Sequence, residues 1–283
     1  MAKVVIIADS TCDLTDELIR KNNITILPLC VILDDKSYFD KEEITVKDIF
    51  EWADNNKTTP KTQAVPMDRI EKVLKPLMED GVDTIFFGIS EQMSATCNSV
   101  RLVGESLGYD RLFVINSESL SSGIGLQILR ACKLRDEGKT AEEIVNEIEA
   151  KRNSVRASFI INTLTYLARG GRCTSVTAFL ASALKIKPVI EVKEGAMGVA
   201  KKMRGDYKKA VMKYVTEMES DLLSAEPTNV FITYPTCDQD IVDEVYNYLA
   251  GLKHFENIYK SNAGGVIASH CGPGTIGVLF YAD

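Results

Sequence analysis

Val4-Val5-Ile6-Ile7-Ala8-Asp9-Ser10-Thr11 is the stretch on which the fold turns. Five apolar residues in a row, closed by a carboxylate and two hydroxyls, read as a strand buried on both faces that runs into a polar loop. The same unit recurs at 84–89, followed by the Ser/Thr-rich loop 90–96, and at 111–115, followed by the Ser/Gly-rich turn 116–125. Helical patterns lie between these strands. One covers 14–21, with Ser10 and Asp13 in capping-box spacing before it. Others are opened by Thr45-Val46-Lys47-Asp48, by Pro66 and by Thr140-Ala141-Glu142-Glu143, and two more run to Leu107 and Asp136. Residues 24–33 read as a β-branched strand near an edge because of Pro28, and 58–65 as a polar loop. Strands that alternate with helices indicate right-handed crossovers and a parallel sheet. Ligands of such sheets sit at the carboxyl ends of the strands, where the loops 9–11, 90–96 and 116–125 fall.

Beyond about residue 156 the pattern changes. Segments 157–162, 185–192, 198–203, 230–233, 257–260, 266–269 and 277–281 read as strands, and the connections 193–198 and 271–276 are too short for parallel crossovers. The expectation is an α/β chain of two domains. Residues 1–156 form a Rossmann-like domain with a parallel sheet, and 157–283 a mixed-sheet α+β domain. A length of 283 residues fits two such units.

Composition narrows the function. Apolar residues at 45% and charged residues at 26% are ordinary for a globular chain. A net charge of −7 argues against a long nucleic-acid or anionic-membrane footprint, which needs a basic face. The N-terminal apolar run is too short for a secretory signal or a membrane span, so the expected location is cytoplasmic. Seven scattered cysteines without a C-x-x-C pair read as reduced, mostly structural thiols. With two histidines, His254 and His270, metal catalysis is disfavoured. Gly272-Pro273-Gly274-Thr275-Ile276-Gly277 spells G-x-G-x-x-G, but only six residues follow it, too few for the helix and second strand of a dinucleotide site. No G-x-x-x-x-G-K-[ST] or kinase motif set is present, so no ATP site is expected.

The residues left to carry chemistry are loop hydroxyls and a few basic groups. Ser10, Thr11, Ser117 and Ser121 read first as helix caps. Ser94 and Thr96, two hydroxyls at a strand end, can both donate to one carboxylate or phosphate. In Arg169-Gly170-Gly171-Arg172 the glycines permit close approach and an arginine can grip an acid bidentately; a helix C-cap is the competing reading. His270, ahead of Cys271-Gly272-Pro273-Gly274, can donate to an acid head group. An esterase or acyl transferase using Ser94 or Cys271 with His270 is the enzymatic alternative, and a binding module for some other amphipathic anion is a third reading. An aliphatic belt surrounds the Gly-Gly-Arg turn: Phe159-Ile160-Ile161, Leu164, Leu167, Phe179-Leu180, Leu184, Ile186 and Val189-Ile190.

Taken together these loops resemble the DegV family of bacterial fatty-acid-binding proteins, the lipid-presenting subunits of fatty acid kinase. The markers are Asp9-Ser10-Thr11, Pro60-Lys61-Thr62, Ile89-Ser90 with Ser94-Ala95-Thr96, Ser117 with Ser121-Ser122-Gly123-Ile124-Gly125, Leu164 and Leu167 with Gly170-Gly171-Arg172, and His270-Cys271-Gly272-Pro273-Gly274. The resemblance implies a long-chain fatty acid such as palmitate, stearate or oleate, with its tail buried in the second domain. Its carboxylate would be held near the domain junction by Thr62, Ser94, Arg172 and His270. Ser10, Thr11, Thr96, Ser121, Gly170, Gly171, Gly272 and Gly274 are secondary head-group candidates. No cofactor and no catalytic set are implied. An ATP-binding kinase subunit would phosphorylate the acid, and transient membrane or acyltransferase contact fits such a carrier. Departures from the family pattern fall at Gln63-Ala64-Val65, Ala95 and Asn116. Burying about 15 methylenes at ~0.8 kcal/mol each bounds the tail contribution near ~12 kcal/mol, against ~1–3 kcal/mol for a charged head-group bond. The tail should therefore set affinity and the polar residues orientation. A buried Arg172 would act where screening is weak, and Arg169, Arg172, Lys201, Lys202 and Arg204 are candidates for a basic rim around the mouth.

Overall fold

A computed structural model describes residues 4–176 and 186–282. Its strands are β1 (Val4–Asp9), β2 (Thr25–Leu27), β3 (Cys30–Leu33), β4 (Lys36–Phe39), β5 (Lys61–Gln63), β6 (Asp83–Gly88), β7 (Leu112–Asn116), β8 (Val155–Ile160), β9 (Ile186–Lys193), β10 (Ala196–Arg204), β11 (Ala225–Tyr234), β12 (Asn257–Asn262) and β13 (Ile276–Ala282).

The continuous apolar runs form the centre of the first domain. A parallel sheet has the order β2-β1-β6-β7, and Ile6, Ile7, Ile85, Phe86 and Phe87 on its two central strands are fully buried. Helices Asp16–Lys21, Met67–Glu79 and Thr96–Leu107 lie in the crossovers, and Ser122–Asp136 follows β7 and leads out of the sheet. From β1 the chain goes to β2 on one side and later to β6 on the other, so the sheet has a switch point between β1 and β6, where a crevice opens at the carboxyl ends. The capping boxes at Thr45/Asp48 and Thr140/Glu143 form as read. Ser10 and Asp13 form none. Residues Ser10–Cys12 make a single 3-10 turn capped by Asp9, and Thr15 caps the first helix instead.

Residues 24–33 are two strands rather than one. Proline has no N–H to continue a ladder, and at Pro28 the chain leaves β2 on the parallel sheet and starts β3 in a separate antiparallel sheet of order β4-β3-β5. The segment read as a loop at 58–65 contains β5, which the polar sequence Lys61-Thr62-Gln63 conceals.

In the second domain a six-stranded sheet runs β10-β9-β8-β13-β11-β12, antiparallel except for β11 with β12. Alternation along β8 sorts its side chains. Ile160 packs with Val211, Tyr214, Val245 and Phe280 under the helices Tyr207–Thr216 and Gln239–Gly251, while Phe159 faces the first domain. There Phe159, Ile161, Ile190, Phe231 and Leu279 share one core with Ile6, Ala8, Phe87 and Ile124. Of the aliphatic belt, Phe179, Leu180 and Leu184 lie outside the described residues.

The hairpin at 193–198 forms, with Gly195 at φ +80°. The strand expected at 266–269 does not. Those residues lie in the helix Gly265–Cys271, which Gly264 opens and Gly272, at φ +77°, closes. An apolar run of four residues has no periodicity that separates helix from strand, so 271–276 is a helix-to-strand turn.

Candidate functional site

The polar loops at the switch point of the parallel sheet meet the second domain around a cavity of about 190 Å³. Its apolar lining comes from Leu29, Ile89, Met93 and Leu120 on one side and Met197, Val266 and Ile267 on the other. Thr62, Ser94, Arg172 and His270 all line it, together with Gln63, Ala64, Ala95 and Cys271. Thr62 is placed by β5, in register with Val31 of β3. Ser94 lies in the loop between β6 and the helix Thr96–Leu107. Arg172 follows the helix Thr165–Gly170, which Gly171 closes in the left-handed region at φ +69°. His270 is the penultimate residue of the helix Gly265–Cys271.

Thr62 Oγ1 and His270 Nε2 are 2.8 Å apart, a bond that joins the two domains. The opposite ring atom, His270 Nδ1, is buried without a hydrogen-bond partner and faces the backbone of Gly170, where a Cβ would run into it. Glycine at 170 is therefore a packing requirement of the histidine. Burial, with Arg172 nearby, pushes the imidazole down to about 4, so the ring is neutral at physiological pH. Arg172 donates from Nη1 to the Gly170 carbonyl at 2.8 Å and from Nε to Met93 at 3.4 Å. It is exposed rather than buried, because it sits at the rim, and water screens it there. Ser94 Oγ and Thr96 Oγ1 are 3.0 Å apart. Ala95, at φ −83°, is in a conformation open to any residue, so the departure there carries no backbone strain. Asn116 accepts from the N–H groups of Glu91 and Glu118, both at 3.2 Å, and ties down the loop beside the site.

Other candidates lie elsewhere. Ser10, Thr11 and Ser121 do not line the cavity; each bonds to a buried carboxylate, Ser10 to Asp40 at 2.9 Å, Thr11 to Asp9 at 2.5 Å and Ser121 to Asp13 at 2.6 Å. Thr96 is buried behind Ser94. Gly272 and Gly274 serve the turn, packed on Tyr166 and Asn162 at positive φ. Of the expected basic rim, Arg172 lines the cavity; Lys201 pairs with Glu217 at 2.9 Å on the outer part of β10. Asp40 was not marked by the sequence, since no local pattern announces a charge that will be buried, nor was Lys41, which stays partly exposed beside it. Burial pushes Asp9 up to about 6 even though Thr11 and the Ile89 N–H bond to it.

For the enzymatic alternative, Ser94 pairs with Thr96 and His270 with Thr62, so His270 is not bonded to the Ser94 hydroxyl that reading requires. Burial pushes the Cys271 thiol up to about 12, which keeps it protonated. Among the described residues no group of three or more His, Cys, Asp or Glu side chains is arranged to hold a metal, and no helix is long and apolar enough to cross a membrane.

Comparison with known proteins agrees with this architecture over its whole length. Residues 3–283 match the model of the family described as "Uncharacterised protein, DegV family". A DegV domain-containing protein of Clostridium perfringens is 35% identical over 284 residues, covering 100% of this chain and 99% of that one. A fatty-acid-binding DegV family protein from Thermus thermophilus superposes with a TM-score of 0.91 at 30% identity, covering 100% of both chains. A stearic-acid-binding protein from Eubacterium ventriosum gives 0.85 at 26% identity, covering 100% of this chain and 98% of that one. The chain belongs to the DegV family.

Proposed function

We propose that this chain binds a long-chain fatty acid in the cavity at the domain junction and presents its carboxylate to a separate ATP-dependent kinase subunit. One observation carries the reading. Thr62, Ser94, Arg172 and His270, drawn from four separate segments, converge on one mostly apolar cavity. Apolar walls with a few convergent polar groups at one rim are what an amphipathic acid requires. The solved relatives described as binding fatty acids support it.

The tail would lie against Met93, Leu120, Met197 and Ile267, where its methylenes supply most of the affinity. The acid would meet hydroxyls from Thr62 and Ser94, with Arg172 at the rim. A neutral His270 fits this role. Its Nδ1 faces a methylene, where a buried N–H would be left without an acceptor, so its proton belongs on Nε2, donated to Thr62 Oγ1. Thr62 is then free to turn its own hydroxyl proton to a carboxylate.

Transfer of phosphate to the acid needs ATP, and the sequence carries no phosphate-cradling glycine loop. A carrier in the cytoplasm with a catalytic partner fits that division of labour better than a self-contained enzyme. With purified chain, a cognate kinase subunit and ATP, Ser94→Ala is expected to retain its lipid and lose acyl-phosphate formation. Undiminished acyl phosphate would remove Ser94 from the head-group set. Turnover of activated esters by the chain alone, abolished by His270→Ala, would favour the hydrolase reading.

A further inference from the structure

We infer that Asp13, Asp40 and Lys41 are positioning residues for the acid-binding site, acting through the helix Gly265–Cys271 to set how His270 meets Thr62. The inference rests on the reading above and adds residues that touch no part of the cavity.

The helix belongs to the second domain, yet its first turn is held by the first. Asp13 Oδ1 accepts from the Gly264 N–H at 2.7 Å, and Asp40 Oδ1 from the Gly265 N–H at 2.6 Å. Lys41 Nζ lies 3.2 Å from Asp13 Oδ1, Ser10 donates to Asp40 and Ser121 to Asp13, so both carboxylates are compensated in the interior. Ser261 also donates to the Asp13 carbonyl. The fit is tight. A Cβ on Gly264 would come within 2.6 Å of Lys41 Cε, and one on Gly265 within 2.6 Å of Ile49 Cδ1 and 3.0 Å of Asp40 Oδ1.

Both ends of this arrangement trace to one small sheet. Asp40 and Lys41 follow directly on β4, and Thr62 lies on β5, with β3 paired to both strands. The sheet thus grips the helix at Gly265 and meets it again, about 7.5 Å along its axis, at His270. A helix of this length moves as a rod, and a packed interior transmits a displacement rather than absorbing it. Loosening the grip at one end should shift His270 against Thr62 at the other.

The test uses the full chain loaded with [1-13C]palmitate. Asp40→Asn keeps the side-chain shape and weakens the grip on Gly265. Exchange of bound palmitate against free oleate is expected to quicken about tenfold, the usual scale for a weakened charged hydrogen bond. The palmitate carboxyl resonance should move, and the His270 titration should rise toward the ordinary imidazole value. A folded Asp40→Asn chain with all three readouts unchanged overturns the inference, whatever its melting temperature, since loss of stability alone would mark a structural role. Should Asp40→Asn not fold, Ser10→Ala decides: it removes the partner of Asp40 Oδ2, together with the acceptor of the Leu29 N–H, and is expected to quicken exchange about threefold. No change there overturns the inference. A wild-type chain that takes up no palmitate overturns the acid-binding reading as well, whereas a loaded wild type with unaffected variants overturns the positioning role alone.

Discussion

Two polar clusters meet the helix Gly265–Cys271, one at each end, and they differ in how fully they are satisfied. At its start Asp13 and Asp40 are buried and bonded to two serines and two backbone N–H groups, and Lys41, about a third exposed, pairs with Asp13. At its end Thr62, Ser94, Arg172 and His270 line a cavity, and Thr62 and Ser94 each have a single side-chain partner, while His270 Nδ1, turned to the Gly170 backbone, has none among the described residues. Both use the same hydroxyls and charges. A saturated cluster holds structure, because each removal strands a buried partner. A cluster with capacity left over, turned to an apolar space, is what the proposed binding of an acid requires.

This contrast predicts that the saturated cluster matters most for stability. Asp13→Ala leaves Lys41, Ser121 and the Gly264 N–H without their carboxylate and should cost about 3 kcal/mol in a denaturant titration, mostly for the two buried donors left unpaired, since Lys41 still reaches water. A cost below about 1 kcal/mol would mean that water already satisfies the cluster.

The guest-facing cluster should register in pH dependence. His270 titrates at about 4 in the folded chain against an ordinary 6.5, so between these values the unfolded state takes up a proton that the folded state refuses. The contribution is whole above pH 6.5 and is lost as pH falls toward 4. Relative to His270→Gln, wild type should lose about 2.5 kcal/mol across that window. Referring to the variant cancels Asp9, whose carboxyl, raised to about 6, favours the folded state as pH falls. A constant difference between the two proteins would show that the ring is not held neutral by burial.

Gly170→Ala places a methyl group on the His270 ring. The expected cost is about 1 kcal/mol, at the lower end for overpacking because the ring can turn into the cavity, with weakened fatty-acid retention. Retention unchanged by Gly170→Ala would separate the ring's position from binding. Ser94→Ala should change stability least, by less than about 0.5 kcal/mol, since its hydroxyl is half-buried and bonded within its own loop.

What could be read from the sequence follows the same physics. The parallel sheet was legible because strands buried on both faces are continuous apolar runs, and the hairpin at 193–198 because its turn admits no crossover. The helix Gly265–Cys271 was not, since a short apolar run carries no period and glycines at both ends suit a strand equally well. The strand β5 was hidden by polar residues that a small edge sheet tolerates. Ser94, Arg172 and His270 stood out by local chemistry as groups able to hold an acid, the role of Thr62 came through the family resemblance, and the exposed setting of Arg172 went against the burial expected of it. Asp40 is an ordinary surface residue type until the helix Gly265–Cys271 covers it.

The most direct measurement is to denature the purified chain, extract it with organic solvent and identify what was carried. A long-chain fatty acid in amounts approaching one per chain is the predicted result. An extract holding no fatty acid, or a different amphipathic anion in its place, would contradict the assignment of the cavity.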